Sequence, residues 1–92
     1  MNTYFVCSLL YKGVLGGGLI LSDDSLRYRT NKLTVDRKFR DLEMKRSDIS
    51  SLEWKEGILP IASVHMKDGE CYSFLIFGKR RFQRIYEETS KY

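Results

Sequence analysis

Residues 13–30 read GVLGGGLILSDDSLRYRT. Four glycines fall within 13–18, an apolar run follows, and the stretch closes on alternating apolar and basic side chains. A phosphate loop of the GxxxxGK(S/T) kind would need a lysine to reach the phosphates and a hydroxyl to hold magnesium, but Leu19, Ile20 and Leu21 come next. The dinucleotide pattern GxGxxG also fails, because the glycines stand at 13, 16, 17 and 18 and no helical period follows them. What remains is a structural reading. Gly13 to Gly18 form the bend between a first strand and a second that starts at Leu19.

Outward from this stretch, SDDS at 22–25 is a turn signal, since Asp and Ser side chains bond to nearby backbone amides. LRYRT then alternates, with Leu26 and Tyr28 inward and Arg27 and Arg29 toward solvent. Upstream, Tyr4, Phe5, Val6, Leu9, Leu10 and Tyr11 crowd into residues 3–11, which predicts a strand apolar on both faces. Downstream, NKLTVDRKFR (31–40) is a basic connection with strand character around Leu33 to Val35. DLEMKRSDI resumes the alternation, with Leu42 and Met44 inward.

After the RSD turn, ISSLEWKEG offers Ile49, Leu52 and Trp54 to the core. LPIASVHMKDGECYSFLIF reads as a hairpin about Asp68-Gly69, a pair favoured in type I′ turns, with Ala62, Val64 and Met66 facing Tyr72, Phe74 and Ile76. From Lys79 the period changes. Phe82, Ile85, Tyr86 and Thr89 line one face of a helix over 79–90.

The bulk numbers fit one small folded unit spanning 1–92: 42% of the 92 residues are hydrophobic and 30% charged, outside the range of chains that stay disordered. A formal charge of +4 favours anionic partners. Two cysteines, Cys7 and Cys71, make neither a metal-type pair nor a disulfide framework, so ordinary reduced thiols and a cytoplasmic protein are expected. YFVCSLLY (4–11) lacks the basic start and the small-residue cleavage site of a signal peptide, and Lys12 and the glycines end it short of a membrane span.

The order of these elements carries more than any one of them. GGLILSDDSLRY (17–28), DLEMKRSDISSLEW (41–54), VHMKDGECYSFLIF (64–77) and a closing helix with Phe82 and Ile85 together resemble the GRAM-type, pleckstrin-homology-like family, particularly its small bacterial members. The resemblance implies a mainly β (α+β) fold: a bent antiparallel seven-stranded sheet or partly open barrel, capped by one C-terminal helix. It also implies a departure. Lipid-binding relatives carry basic residues on the first two strands and their loop, where this chain has Lys12 followed by glycines and apolar residues.

No catalytic constellation is evident. His65 is the only histidine and alternates onto the face opposite Val64 and Met66, while Asp23-Asp24 and Glu87-Glu88 fall in a turn and on a polar helix face. No metal or cofactor is expected. Two basic clusters stand out: Arg27, Arg29, Lys32, Arg37, Lys38 and Arg40, opposed only by Asp36, and Lys79, Arg80, Arg81 and Arg84 at the start of the helix. Positive charge there opposes the helix dipole unless an anion docks beside it. With Phe39 as the one candidate exposed aromatic among them, the stacking platform for single-stranded nucleic acid is missing, which disfavours nucleic acid as a partner.

The chain is therefore expected to be a non-catalytic binding module for protein interaction or assembly, with the twice-apolar first strand (Tyr4, Phe5, Val6, Leu9, Leu10, Tyr11) pairing with a partner strand or a second copy. The alternative is peripheral binding to anionic phospholipid membranes through the basic clusters.

Overall fold

Alternating apolar and polar side chains fold this chain into a single antiparallel sheet in a computed structural model that describes residues 2–11, 13–30 and 37–89, the side chains of 37 and 38 excepted. The strands are β1 (Thr3–Leu10), β2 (Val14–Leu21), β3 (Ser25–Arg29), β4 (Asp41–Lys45), β5 (Ile49–Trp54), β6 (Ile61–Met66) and β7 (Cys71–Ile76). A short helix, α1 (Arg37–Arg40), precedes β4, and α2 (Lys79–Thr89) ends the chain's described part. The sheet order is β4-β3-β2-β1-β7-β6-β5, so β1 lies at the centre and β4 and β5 at the edges. This mainly β sheet, with one C-terminal helix on it, is the fold class the sequence predicts.

One face of the sheet wraps the core. Phe5, Cys7 and Leu9 of β1, Leu19 and Leu21 of β2, Leu26 and Tyr28 of β3, Val64 of β6 and Phe74 and Ile76 of β7 are all buried on it. An isolated helix of 11 residues is marginal in water, so α2 depends on what it packs against. Its Phe82 is fully buried, 5.1 Å from the Phe5 ring and 5.9 Å from Trp54 between centroids, both nearly edge to face. Burying a side chain of this size contributes about 1.5–3 kcal/mol, which ties the helix to β1 and β5.

The bend between the first strands is shorter than the glycines suggest. The chain turns at Tyr11 to Gly13, where Gly13 takes φ 131° and its carbonyl accepts a 3.1 Å bond from the Tyr11 amide. Gly16, Gly17 and Gly18 instead lie inside β2, opposite Ser8, Cys7 and Val6. The second strand therefore starts at Val14, and only Gly13 makes the bend.

The β6–β7 hairpin holds the expected facing at Ala62 opposite Phe74 and Val64 opposite Tyr72, but Met66 meets Glu70 and the turn is not the expected one. The Gly69 amide donates to the Met66 carbonyl at 3.1 Å while the Met66 amide donates to Glu70 at 2.8 Å. That unequal pairing closes a three-residue loop, with Gly69 at φ 96° in the left-handed position, in place of a two-residue type I′ turn. The strand character expected around Leu33 to Val35 lies outside the described residues. Phe39 is not an exposed aromatic: it is buried, with its ring centroid 4.3 Å from that of Tyr11.

Candidate functional site

The other face of the sheet carries the feature that needs explaining. A one-sided antiparallel sheet ordinarily turns polar residues to water. Period-two alternation sends Tyr4, Val6, Ser8 and Leu10 of β1 outward, and the register sets Tyr4 against Ile20, Val6 against Gly18 and Leu10 against Val14 of β2. On the other side of β1, Ser8 faces Leu75, and the Phe77 amide donates to the Val6 carbonyl. The exposed members of this surface are large and apolar: Tyr4 is 59% accessible, Val6 57%, Val14 68% and Phe77 54%.

Further along the same surface the character changes. Gly18 pairs with Arg29, Ile20 with Arg27 and Arg27 with Glu43, so the outer faces of β3 and β4 are charged. Arg27 is held there by carboxylates, with Nε 3.0 Å from Asp41 and Nη2 3.6 Å from Glu43. Between the apolar and charged zones lies an open depression of about 790 Å³. Glycines 16–18 lie along it, and Tyr4, Ile20, Arg29, Thr30 and Arg40 line it.

The glycines make this shape in different ways. A β-carbon on Gly17 would overlap the Arg29 carbonyl oxygen and lie 2.8 Å from the Tyr28 ring, which passes beneath on the core side. The Tyr28 hydroxyl donates to the Leu15 carbonyl at 2.7 Å, and burial raises its pKa. A β-carbon on Gly18 would overlap the Tyr4 ring, which lies across the outer face there. Gly16 has nothing within 4 Å of the same position.

The structure divides the residues singled out from sequence. Tyr4 and Val6 are exposed on the outer face, Leu10 is half-buried, and Tyr11 packs its ring on Phe39. Phe5 and Leu9 are 2% and 1% accessible and belong to the core, so they cannot meet a partner. β2 pairs with β1 along Thr3–Leu10, and β7 takes its other side over Cys7–Leu9.

The described members of the basic clusters have different neighbours. Arg29 and Arg40 line the glycine depression and Arg27 is ion-paired beside it. Lys32 lies outside the described residues, and Arg37 and Lys38 are placed only as backbone of α1. On α2, Lys79 Nζ lies 5.2 Å from the Trp54 ring centroid and the Arg81 guanidinium 4.9 Å from that of Phe5. Such ring contacts are favourable for the cations at the helix start. Arg80 and Arg84 share a separate shallow depression with Glu87 and Glu88.

Sequence reasoning missed four exposed apolar side chains, Val14, Ile58, Leu59 and Phe77. Phe77 had a signal, because alternation from inward Phe74 and Ile76 carries it outward. Ile58 and Leu59 sit in the β5–β6 loop, where no period applies.

The chemistry of the remaining candidates is simple. His65 is half-exposed on the outer face, with Nε2 3.2 Å from Glu53 on β5. Both cysteines are free: Cys7 is buried opposite Ile76 and its thiol pKa is pushed up to about 12 by burial, while Cys71 is exposed opposite His65. Among the described residues no cluster of three or more His, Cys, Asp or Glu could hold a metal ion. No described helix is long and apolar enough to cross a membrane.

Fold and surface together define an open, seven-stranded antiparallel sheet domain with one C-terminal helix and an apolar outer face. Neither a family model nor a curated protein matches the sequence. Among solved structures, the chain is similar to the C-terminal domain of an unknown protein from Leishmania infantum, with a TM-score of 0.78 over 95% of this chain and 80% of that one. At 8% identity the likeness concerns the fold alone.

Proposed function

We propose that the chain is a non-catalytic, cytoplasmic binding module of the GRAM-like, pleckstrin-homology-like kind that docks an acidic protein on the outer face of β2, β1 and β7. The observation that carries this reading is the contiguous exposed surface of Tyr4, Val6 and Phe77 on a sheet face that ordinarily meets water. Contact is through the face of the sheet, because β2 pairs with the whole of β1 and β7 with Cys7–Leu9. Arg29 and Arg40 give one border of this face a basic character. A second copy of this +4 chain would bring like charges together, whereas an acidic partner complements them.

Val6→Glu and Phe77→Glu test the reading, because each places a charge in the patch without touching the core. Wild-type protein should retain an acidic protein from extract of its own cell, release it as salt rises, and lose it with either substitution at an unchanged urea midpoint. Retention of the same protein by both variants overturns the reading. Sedimentation showing a salt-resistant dimer that either substitution dissolves would assign the face to self-association.

A second reading, peripheral binding to anionic phospholipid, is favoured by the β5–β6 loop. Ile58 is 99% accessible at its tip beside Leu59, with Lys55 at the loop's start. An apolar tip near cationic side chains suits the boundary of an acidic bilayer. Flotation with phosphatidylserine vesicles, lost in Ile58→Asp and absent with neutral vesicles, supports it. Equal behaviour with both vesicle types removes it.

A further inference from the structure

We infer that Cys71 and His65 form a two-ligand site for a soft monovalent metal ion, of which copper(I) is the biological example. The site is independent of the docking surface proposed above. The register sets Cys71 of β7 directly opposite His65 of β6, both on the outer face. The Met66 amide bonds to the Glu70 carbonyl and the Ile76 amide to the Pro60 carbonyl, so the bonded pairs of this ladder are the alternate ones. His65 and Cys71 therefore meet at a non-hydrogen-bonded position, where facing side chains come closest. Their β-carbons are about 4.5–5.5 Å apart. The next pair on the same face shows the approach, with the Ser63 and Ser73 hydroxyls 3.0 Å from each other.

A third residue fixes the ring. Glu53 lies on β5, across β6 from β7, and its carboxylate is 3.2 Å from His65 Nε2. The two nitrogens of an imidazole point to opposite sides of the ring, so a carboxylate at Nε2 leaves Nδ1 as the donor toward β7. Such a carboxylate is the usual outer partner of a metal-bound histidine, because it orients the ring and makes it a stronger ligand. The local charge also suits a cation. On a chain of net charge +4, Glu53, Asp68 and Glu70 set three carboxylates around the pair against the ammonium of Lys67. The ligand number selects the ion. A zinc site takes three or four protein ligands, and among the described residues no group of three His, Cys, Asp or Glu converges. One thiolate with one imidazole suits copper(I), a soft ion that favours sulfur. The Cys71 thiol releases its proton to solvent as the metal–sulfur bond forms. Buried Cys7 does not compete.

Copper(I), kept reduced by ascorbate under nitrogen and competed against bicinchoninate, tests this on the whole chain. One ion should bind, move the ring signals of His65, the only histidine, in the nuclear magnetic resonance spectrum, and shield Cys71 from iodoacetamide. His65→Gln and Glu53→Gln should each weaken binding at least about tenfold at an unchanged urea midpoint, since both side chains stand on the solvent side of the sheet. Glu70→Gln removes the same charge as Glu53→Gln without touching the imidazole, so it should weaken binding less. Zinc at the same concentration should leave Cys71 open to iodoacetamide. Binding to His65→Gln as tight as to the wild type would reduce the site to a bare thiol and overturn it. Ring signals of His65 that stay in place as copper(I) binds the wild-type protein overturn it equally, whatever the variants do. Equal losses in Glu53→Gln and Glu70→Gln, or protection of Cys71 by zinc as good as by copper(I), would do the same.

Discussion

At Gly17 a single methyl group is decisive. It would collide with the Arg29 carbonyl oxygen and the Tyr28 ring, neither of which can retreat, since Tyr28 is fully buried and bonded to Leu15. Gly17→Ala should lower stability by about 1–3 kcal/mol, whereas Gly16→Ala should leave it equal or raise it by up to about 1 kcal/mol. Urea unfolding of the two variants side by side checks this. Gly18→Ala belongs between them, because the Tyr4 ring it displaces is exposed and can swing away. The sequence could not show these differences. Glycines in a row read as a bend by local rules, and what places them within a strand is the ring of Tyr28 eleven residues on and that of Tyr4 fourteen back. The two cysteines separate as sharply. With Cys7 buried and its thiol pKa pushed up to about 12, a thiol reagent at about pH 8 should modify only Cys71 in the native protein and both residues in denaturant.

Among the elements, α2 depends most on contacts from elsewhere. Phe82 meets Phe5, Trp54 and Tyr86 at centroid distances of 5.1, 5.9 and 5.8 Å, so Phe82→Ala opens a cavity where the helix touches the sheet. The expected loss is about 3–5 kcal/mol, measured by urea unfolding, with the far-ultraviolet helical signal lost in the same transition as the sheet. Arg46 adds a polar clasp, its guanidinium 4.3 Å from the Tyr86 ring centroid and its Nη1 donating to the Tyr86 carbonyl at 3.5 Å. This helix was legible because three-and-four spacing is local, as were β3, β4 and the facing of the β6–β7 hairpin, whose period-two patterns are unbroken. The hairpin's turn was not, since Asp-Gly serves both a two-residue and a three-residue loop and only the hydrogen bonds distinguish them. The pairing of β1 with β7 was equally hidden, because it joins strands some 65 residues apart and no short-range signal records it. The candidate surface depends on that pairing, which brings Phe77 beside Val6, so its members could be suspected singly but not assembled from sequence.

For the whole molecule, burial of neutral acids links the fold to alkaline pH. Desolvation pushes the Cys7 thiol up to about 12 and raises the phenols of Tyr28 and Tyr86, although the Arg46 charge partly offsets the rise at Tyr86. In the unfolded chain these groups return to ordinary values, about 8.5 for the thiol and about 10 for the phenols. Between those values and the raised ones the native state keeps protons that the unfolded state has released, so stability falls as pH rises. The stabilisation is complete below about pH 8.5, declines from there, and is lost as pH passes through the native values, about 12 for Cys7. Urea midpoints should therefore fall steadily above about pH 9. Cys7→Ser would confuse the test by burying a hydroxyl in the thiol's place, so Cys7→Ala is the useful variant: it should start less stable and show a shallower alkaline decline. Phenolate absorbance supplies the second readout, since Tyr28 is fully buried and should ionise with the unfolding transition. An alkaline slope as steep in Cys7→Ala as in the wild type would show that the buried thiol has no part in it.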